Sequence, residues 1–127
     1  MIVRTNEMQD VVLDWAVGIA EGNFPDVHPR KKPYVEQYDG ITGRFVRYAP
    51  SSDWRIAGRL IAHAKINIEY APTTSTWNAS ILTQSGDSGD FAAHYQQSGL
   101  SPQEAAMRTW VCYRLGDSLD VPDALFA

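Results

Sequence analysis

The chain has a single cysteine, Cys112, among its 127 residues, and no hydrophobic run long enough to cross a membrane. One cysteine excludes an internal disulfide framework and indicates a reducing, intracellular setting. A membrane-spanning helix needs about 20 consecutive, mostly apolar residues, which this sequence does not provide. The first ten residues, MIVRTNEMQD, lack a basic head followed by an apolar stretch. We therefore expect no signal peptide and a cytoplasmic protein.

The sequence also lacks the patterns of metal sites and of familiar catalytic motifs. The three histidines, His28, His63 and His94, are far apart, and with one cysteine they predict no zinc site and no other cofactor. The GDSG run at 86–89 matches the serine motif of chymotrypsin-like proteases, but the chain is too short to form their two barrels. No acid and base are paired at helical spacing, so the sequence predicts no catalytic residue.

Charge is distributed unevenly along the chain. The net charge is −4, yet residues 28–65 contain eight basic and three acidic side chains, while residues 1–27 and 66–127 are acidic. The simplest interpretation is that the acidic flanks neutralise the basic middle in the folded protein, and the alternative is an anion-binding surface. An acidic chain is repelled by phosphate backbones, which disfavours a role in nucleic-acid binding.

Two segments have the signature of amphipathic helices. The first covers residues 6–21, with apolar residues at helical spacing, Asn6 as the predicted N-cap and Gly22 as the stop. The second starts with the capping sequence SPQE at 101–104, where proline occupies the first helical position, and it ends at Gly116. Each helix is predicted to bury one face against the rest of the domain.

The remaining segments predict strands and turns. Residues 23–42 contain three prolines and predict an irregular, exposed segment, whereas 43–49 predicts a strand. Residues 66–70 and 76–82 predict the two strands of an antiparallel hairpin, and 92–97 predicts a helical turn. The whole chain is therefore predicted to form one α+β domain, in which a small antiparallel sheet is packed on one face by the N-terminal and C-terminal helices.

The large apolar side chains fit a single core. Each of the four tryptophans occupies a position that predicts burial, and Cys112 is predicted to behave as a small hydrophobic residue. The acidic tail is predicted to pack back onto the domain through Val121 and Leu125. The tryptophans are Trp15, Trp54, Trp77 and Trp110.

The stretch YAPSSDWRIAG at 48–58 combines a helix start with groups suited to ligand binding. Ser51 or Ser52 is predicted to cap a short helix, with Asp53 near its positive end. Arginines beside an indole hold a flat ring and a phosphate together, and free helix amides add donors for an anion. Asp53 competes for the same amides, which favours a structural role for this helix start. The predicted ligand-binding residues are Arg44, Arg47, Ser51, Ser52, Trp54 and Arg55.

A second basic cluster lies in the run HPRKKP at 28–33. Prolines on both sides of the charges favour an extended, exposed backbone. A long loop in a small domain is often functional. Arg30, Lys31 and Lys32 are therefore predicted to contact a partner protein.

Several short segments, taken in order, resemble the NinX-like family of small bacteriophage proteins. They are LDWAV at 13–17 with EG at 21–22, YAPSSDW at 48–54, Trp77 with Ala79, AAMR at 105–108, LGD at 115–117 and VP at 121–122. After Trp54 this chain has AGRL where the family tends to have a glycine-rich turn and a proline. The resemblance implies a phage or prophage gene product that acts in the bacterial cytoplasm, without implying a particular activity.

Small accessory phage proteins often act on host systems by binding, including antagonism of host defence. By association, the resemblance favours a non-enzymatic phage accessory protein that binds a host protein or a small anionic ligand such as a nucleotide. Two alternatives stay open at this point. One is a small enzyme that acts on a phosphorylated substrate, and the other is a structural or assembly role in an oligomer.

Overall fold

The computed structural model describes residues 1–23, 25–28, 33–84 and 91–126, and within these ranges the chain has an α+β fold, as predicted. Two short 3₁₀ turns, Thr5–Glu7 and Asp123–Phe126, accompany the helices and strands. In chain order, those elements are β1 Ile2–Arg4, α1 Asp10–Ala20, β2 Asp26–His28, β3 Tyr34–Asp39, β4 Arg44–Arg47, α2 Trp54–Ala64, β5 Asn67–Ala71, β6 Thr76–Gln84, β7 Phe91–Gly99, α3 Pro102–Leu115 and β8 Ser118–Asp120.

The strands are distributed over three small antiparallel sheets. Their orders are β1–β8, β2–β3–β4 and β5–β6–β7. The β5–β6 hairpin and the β4 strand confirm the predictions made for 66–82 and 43–49. The β1–β8 pair ties the first residues of the described chain to its tail, where Val121 and Leu125 are buried as predicted.

The C-terminal helix α3 is the centre of the core. It packs on the β5–β6–β7 sheet, while α1 packs against α3 and against β3, and α2 also contacts α3. Ala105, Ala106, Met107 and Val111 are fully buried in this arrangement. The C-terminal helix thus covers one sheet directly, and the N-terminal helix extends the core towards the β2–β3–β4 sheet.

The capping of α3 follows the sequence prediction. The Ser101 hydroxyl oxygen accepts the Glu104 backbone N–H at 3.0 Å, and the Glu104 carboxylate accepts the Leu100 N–H at 3.1 Å. Pro102 occupies the first turn, and Gly116 ends the helix with a φ of +95°. Such reciprocal capping satisfies amides that have no partner inside the helix, so short-range chemistry determines where α3 begins and ends.

The predicted start of the first helix was wrong. Helix α1 begins at Asp10, its N-cap is Gln9, and Asn6 belongs to a 3₁₀ turn instead. The Thr5 N–H and hydroxyl donate to the carbonyl oxygens of Asp117 and Gly116, both at 2.7 Å. These long-range bonds hold the segment before α1 against the tail, and local capping preference at Asn6 does not outweigh them.

Two further predictions of backbone structure were wrong. Residues 23–42 contain strands β2 and β3, because Pro33 precedes β3 rather than interrupting it. Residues 92–97 form part of β7 instead of a helical turn, because β6 supplies a pairing partner along the strand. Cross-strand pairing outweighs the helix propensity of a short alanine-containing run.

Burial of the tryptophans is only partly as predicted. Trp110 is buried and Trp15 and Trp77 are half-buried, but Trp54 is 52% exposed. Helix α2 buries Ala57 and Leu60 instead, so Trp54 at its first residue lies outside the core. Among the described residues, no helix combines the length and the apolar character that crossing a bilayer requires.

Candidate functional site

A pocket of about 430 Å³ lies between α1, the start of β3, the end of β4 and the loop before α2. We name it the aspartate pocket after its two acidic side chains. Helix α1 supplies both acids, and the chain from β4 to α2 supplies an arginine and two serines. The polar residues that line it are Asp10, Asp14, Tyr34, Arg47, Tyr48, Ser51 and Ser52.

Asp14 is the acidic residue that sequence reasoning missed. This residue is only 8% exposed, and its Oδ1 atom accepts the Ser51 N–H at 2.8 Å. Burial raises the pKa of Asp14 to about 6, against the opposing effects of the Ser51 hydrogen bonds and of Arg47, while the nearby Asp10 raises it further. This carboxyl group therefore titrates close to neutral pH. The available signal was an aspartate inside the apolar helical run LDWAV.

Tyr48 fixes the position of the pocket wall. Its hydroxyl donates to the Glu21 carboxylate at the end of α1, and the side chain is buried. Burial and, after it, the Glu21 hydrogen bond raise the pKa of Tyr48 above its ordinary value. The phenol therefore stays protonated and joins the end of α1 to the β4–α2 connection.

A second pocket, of about 490 Å³, lies between the β3–β4 hairpin and α2. We name it the arginine pocket. Arg47, Arg55 and Arg59 line it together with Asp39 and Asp53. Arg59 was not among the predicted ligand residues, although it follows Arg55 by one helical turn and the spacing alone places both on one helix face.

The start of α2 differs from the prediction. Asp53, rather than Ser51 or Ser52, is the N-cap, and its Oδ1 atom accepts the Arg55 N–H at 3.0 Å. The Arg55 guanidinium lies 3.3 Å from the other carboxylate oxygen, and the Arg55 hydrogen bonds lower the pKa of Asp53. The Ser52 and Asp53 amides donate to the Ala49 carbonyl oxygen. Two of the amides proposed for an anion, those of Ser52 and Asp53, are thus occupied by the protein itself.

The predicted ligand residues are divided between the two pockets. Arg47 lines both, Ser51 and Ser52 line the aspartate pocket, and Arg55 lines the arginine pocket. Arg44 and Trp54 line neither of them. The predicted partner residues Arg30, Lys31 and Lys32, and the GDSG run at 86–89, lie outside the described residues.

Within the described part of the chain, no group of three or more His, Cys, Asp or Glu side chains is placed to hold a metal ion.

Cys112 is buried, and its Sγ atom donates to an Asp117 carboxylate oxygen at 3.4 Å. Burial is the main cause that raises the pKa of this thiol, and Asp117 adds to it. A protonated, buried thiol is a poor nucleophile, which agrees with the structural role predicted for Cys112.

The family model described as Bacteriophage P22, NinX matches residues 4–114. A comparison with the curated proteins found no match. The matched range includes α1, α2 and nearly all of α3, together with the residues that line both pockets. The family match therefore confirms the resemblance inferred from the ordered sequence segments.

Proposed function

Since the chain belongs to the NinX family of bacteriophage P22, we propose that this phage protein is an accessory protein that acts by binding in the host cytoplasm. Its ligand is a small anion such as a nucleotide, bound in the arginine pocket. The observation that carries this proposal is that Arg47, Arg55 and Arg59 all line one pocket, in a chain whose net charge is −4.

The chemistry of the arginine pocket supports an anionic ligand. Guanidinium groups bind phosphate through paired N–H donors, and they stay charged at every physiological pH. Tyr38 also lines this pocket, and its ring packs edge-on against the Phe45 ring at a centroid distance of 5.6 Å. A volume of about 490 Å³ lies in the range of small-molecule sites, roughly 300–1,000 Å³.

A thermal-shift panel of nucleotides and inorganic phosphate tests the small-anion proposal. A ligand present at about a hundred times its dissociation constant adds about 2.7 kcal/mol of stability. The Arg59→Ala variant is expected to lose this gain, whereas Arg4→Ala, an exposed arginine in β1, is expected to keep it. If no member of the panel raises the melting temperature, the arginine pocket is not a nucleotide site.

Asp14 favours a second candidate, a small enzyme that acts on a phosphorylated substrate. Its carboxyl group titrates near neutral pH beside Arg47, an arrangement suited to a general acid or base next to a phosphate-binding group. Turnover of a phosphorylated substrate, abolished by Asp14→Asn but kept by Asp26→Asn at an exposed position of β2, supports this alternative. A rate that does not change between pH 5 and 7 contradicts a role for Asp14.

Binding of a host protein through Arg30, Lys31 and Lys32 stays a prediction from the sequence. A pull-down from host lysate with the wild type and with a variant that replaces all three by alanine tests it. A partner that the variant retains places the contact elsewhere. Sedimentation of the purified protein tests the oligomeric assembly role in the same preparation.

A further inference from the structure

A third pocket, of about 340 Å³, lies between the end of α2, strand β6 and the second half of α3. We name it the indole pocket after Trp110. Of the described residues, none lines both this pocket and the arginine pocket, and none that lines the indole pocket is acidic. Its basic lining residues are His63, Lys65 and Arg114, and its apolar and aromatic ones include Ile81, Trp110 and Tyr113.

The basic groups of the indole pocket are not neutralised by the described part of the protein. Among the described residues, the side chains of His63 and Lys65 have no hydrogen bond or ion pair, and Arg114 has no carboxylate partner. The Arg114 Nε atom donates to the Ala20 carbonyl oxygen at 3.1 Å, and the guanidinium carbon lies 5.7 Å from the centre of the Trp110 ring. These contacts hold Arg114 in place without cancelling its charge.

Helix polarity accounts for only part of this arrangement. His63 and Arg114 lie in the last turns of α2 and α3, where a basic side chain interacts favourably with the negative end of the helix. Each helix end carries about half a negative charge, so the two ends together offset about one of the two full charges of Lys65 and Arg114. A positive potential therefore remains at the pocket.

Lys65 has a backbone conformation that lysine rarely adopts. It follows the last residue of α2 with a φ of +55° and a ψ of +51°, the left-handed region in which helices usually end with glycine. Glycine at this position would avoid the strain that the lysine side chain brings. Because strain of this kind is concentrated at functional sites, the conformation favours a use for the Lys65 ammonium group.

The aromatic wall of the indole pocket contains an unsatisfied donor. Trp110 is 7% exposed, and its indole N–H is buried without a hydrogen-bond partner among the described residues. Buried donors are nearly always paired with protein or ordered water, so at this wall the described protein does not complete the hydrogen bonding. The Tyr113 ring lies 6.0 Å from the Trp110 ring and is 41% exposed. Aromatic rings beside basic groups suit a ligand that combines a ring with an anionic group.

We propose that the indole pocket binds a small aromatic anion, in which a negatively charged group is attached to a ring. Lys65 and Arg114 bind the anionic group, and the rings of Trp110 and Tyr113 contact the ring of the ligand. A volume of about 340 Å³ is at the lower end of the range of small-molecule sites. This is a second binding site, beyond the small-anion function, since no described residue lines both pockets.

An NMR titration of the full-length, ¹⁵N-labelled protein with phenyl phosphate tests the proposal, with the assigned Trp110 indole N–H resonance as the readout. We expect phenyl phosphate to shift this resonance, and phenol and benzylamine to bind at least about tenfold more weakly. Inorganic phosphate, which has no ring, is also expected to bind more weakly. A Trp110 resonance that does not move, or an affinity for phenol or inorganic phosphate equal to that for phenyl phosphate, overturns the proposal.

Two variants separate this site from the folding of the protein and from the arginine pocket. Lys65→Gly removes the ammonium group and relieves the left-handed conformation, so the variant is expected to fold. We expect it to weaken the binding of phenyl phosphate about threefold to fivefold, as for an exposed charge pair, and to keep any nucleotide binding in the arginine pocket. Arg59→Ala is expected to leave the phenyl phosphate titration of Trp110 unchanged. Unchanged affinity in Lys65→Gly, or lost affinity in Arg59→Ala, contradicts binding in the indole pocket.

Discussion

Two buried charged residues, Arg108 of α3 and Asp14 of α1, differ in how the fold pairs them. Each residue is 8% exposed. The Arg108 guanidinium donates to the carbonyl oxygens of Met8 and Ser98, both at 2.8 Å, and lies 3.4 Å from the Glu104 carboxylate. Asp14 accepts a backbone hydrogen bond from Ser51, and burial raises its pKa to about 6.

This difference shows which of the two buried charges stabilises the fold and which one does not. Arg108 connects α3 to β7 and to the segment before α1, so its charge holds three parts of the core together. The charged form of Asp14 is disfavoured where it lies, and it lines a pocket. A group that destabilises the fold at neutral pH beside a pocket is a candidate for function, whereas a fully paired group is a candidate for structure.

The largest expected effect is the loss of stability when a side chain of the α3 core is truncated. Met107→Ala empties a fully buried position under the β5–β6–β7 sheet and is expected to lower the free energy of unfolding by about 4 kcal/mol. Urea denaturation measures the loss. Leu100→Ala, at an 80% exposed position just before α3, is the matched control and is expected to change stability by less than about 0.5 kcal/mol. A small loss in both variants contradicts the central place of α3.

The pH dependence of folding stability tests whether the fold disfavours the charged form of Asp14. The pKa of Asp14 is 3.8 when the side chain is unburied, as in the unfolded chain, and about 6 in the fold, a difference that corresponds to about 3 kcal/mol. Because the folded pKa is the higher one, the unfolded chain loses its proton first. Stability therefore falls as pH rises from about 4 to about 6 and then stays constant with respect to this group.

Asp14→Asn removes the titrating group and keeps an oxygen that accepts from Ser51. Relative to this variant, the wild type is expected to lose about 3 kcal/mol of stability across that pH range, as measured by urea denaturation at several pH values. Asp26→Asn, at an exposed position in β2, is the control and is expected to follow the wild type. Parallel curves for wild type and Asp14→Asn indicate that the fold does not perturb this carboxyl group.

Arg108→Met tests whether the paired charge stabilises α3. The methionine fills much of the volume but leaves the Met8 and Ser98 carbonyl oxygens without this donor. The expected loss is about 2 kcal/mol, about 1 kcal/mol for each carbonyl. Thermal unfolding combined with hydrogen exchange measures it, and increased exchange is expected in the segment before α1. If the variant is as stable as the wild type, the paired charge of Arg108 does not stabilise the fold, and in this respect it no longer differs from Asp14.

The smallest expected effect concerns the cap of α2. Asp53→Ala removes the side chain that accepts the Arg55 N–H and is expected to cost about 1 kcal/mol. Ser52→Ala is the matched control, because sequence reasoning expected Ser51 or Ser52 to be the cap. Equal losses in the two variants indicate that the serine shares the capping role. The melting temperature of each variant is the measurement.

Some of these features were predictable because short segments encode them. The SPQE cap and Gly116 define α3, since both act within a few residues along the chain. The β5–β6 hairpin is also local. Among the predicted ligand residues, Arg47 and Arg55 line one pocket because an arginine at the end of β4 and another at the start of α2 are close in sequence.

The sequence by itself determined the α+β class, the ends of α3, the β5–β6 hairpin and membership in the NinX family. Only the tertiary structure decided the start of α1, the strand at 91–99, the burial of Asp14 and the inclusion of Arg59 in a pocket. The reason is the range of the interactions: capping and turns depend on neighbours in the chain. Burial and strand pairing depend on residues far away, whose positions no local pattern specifies.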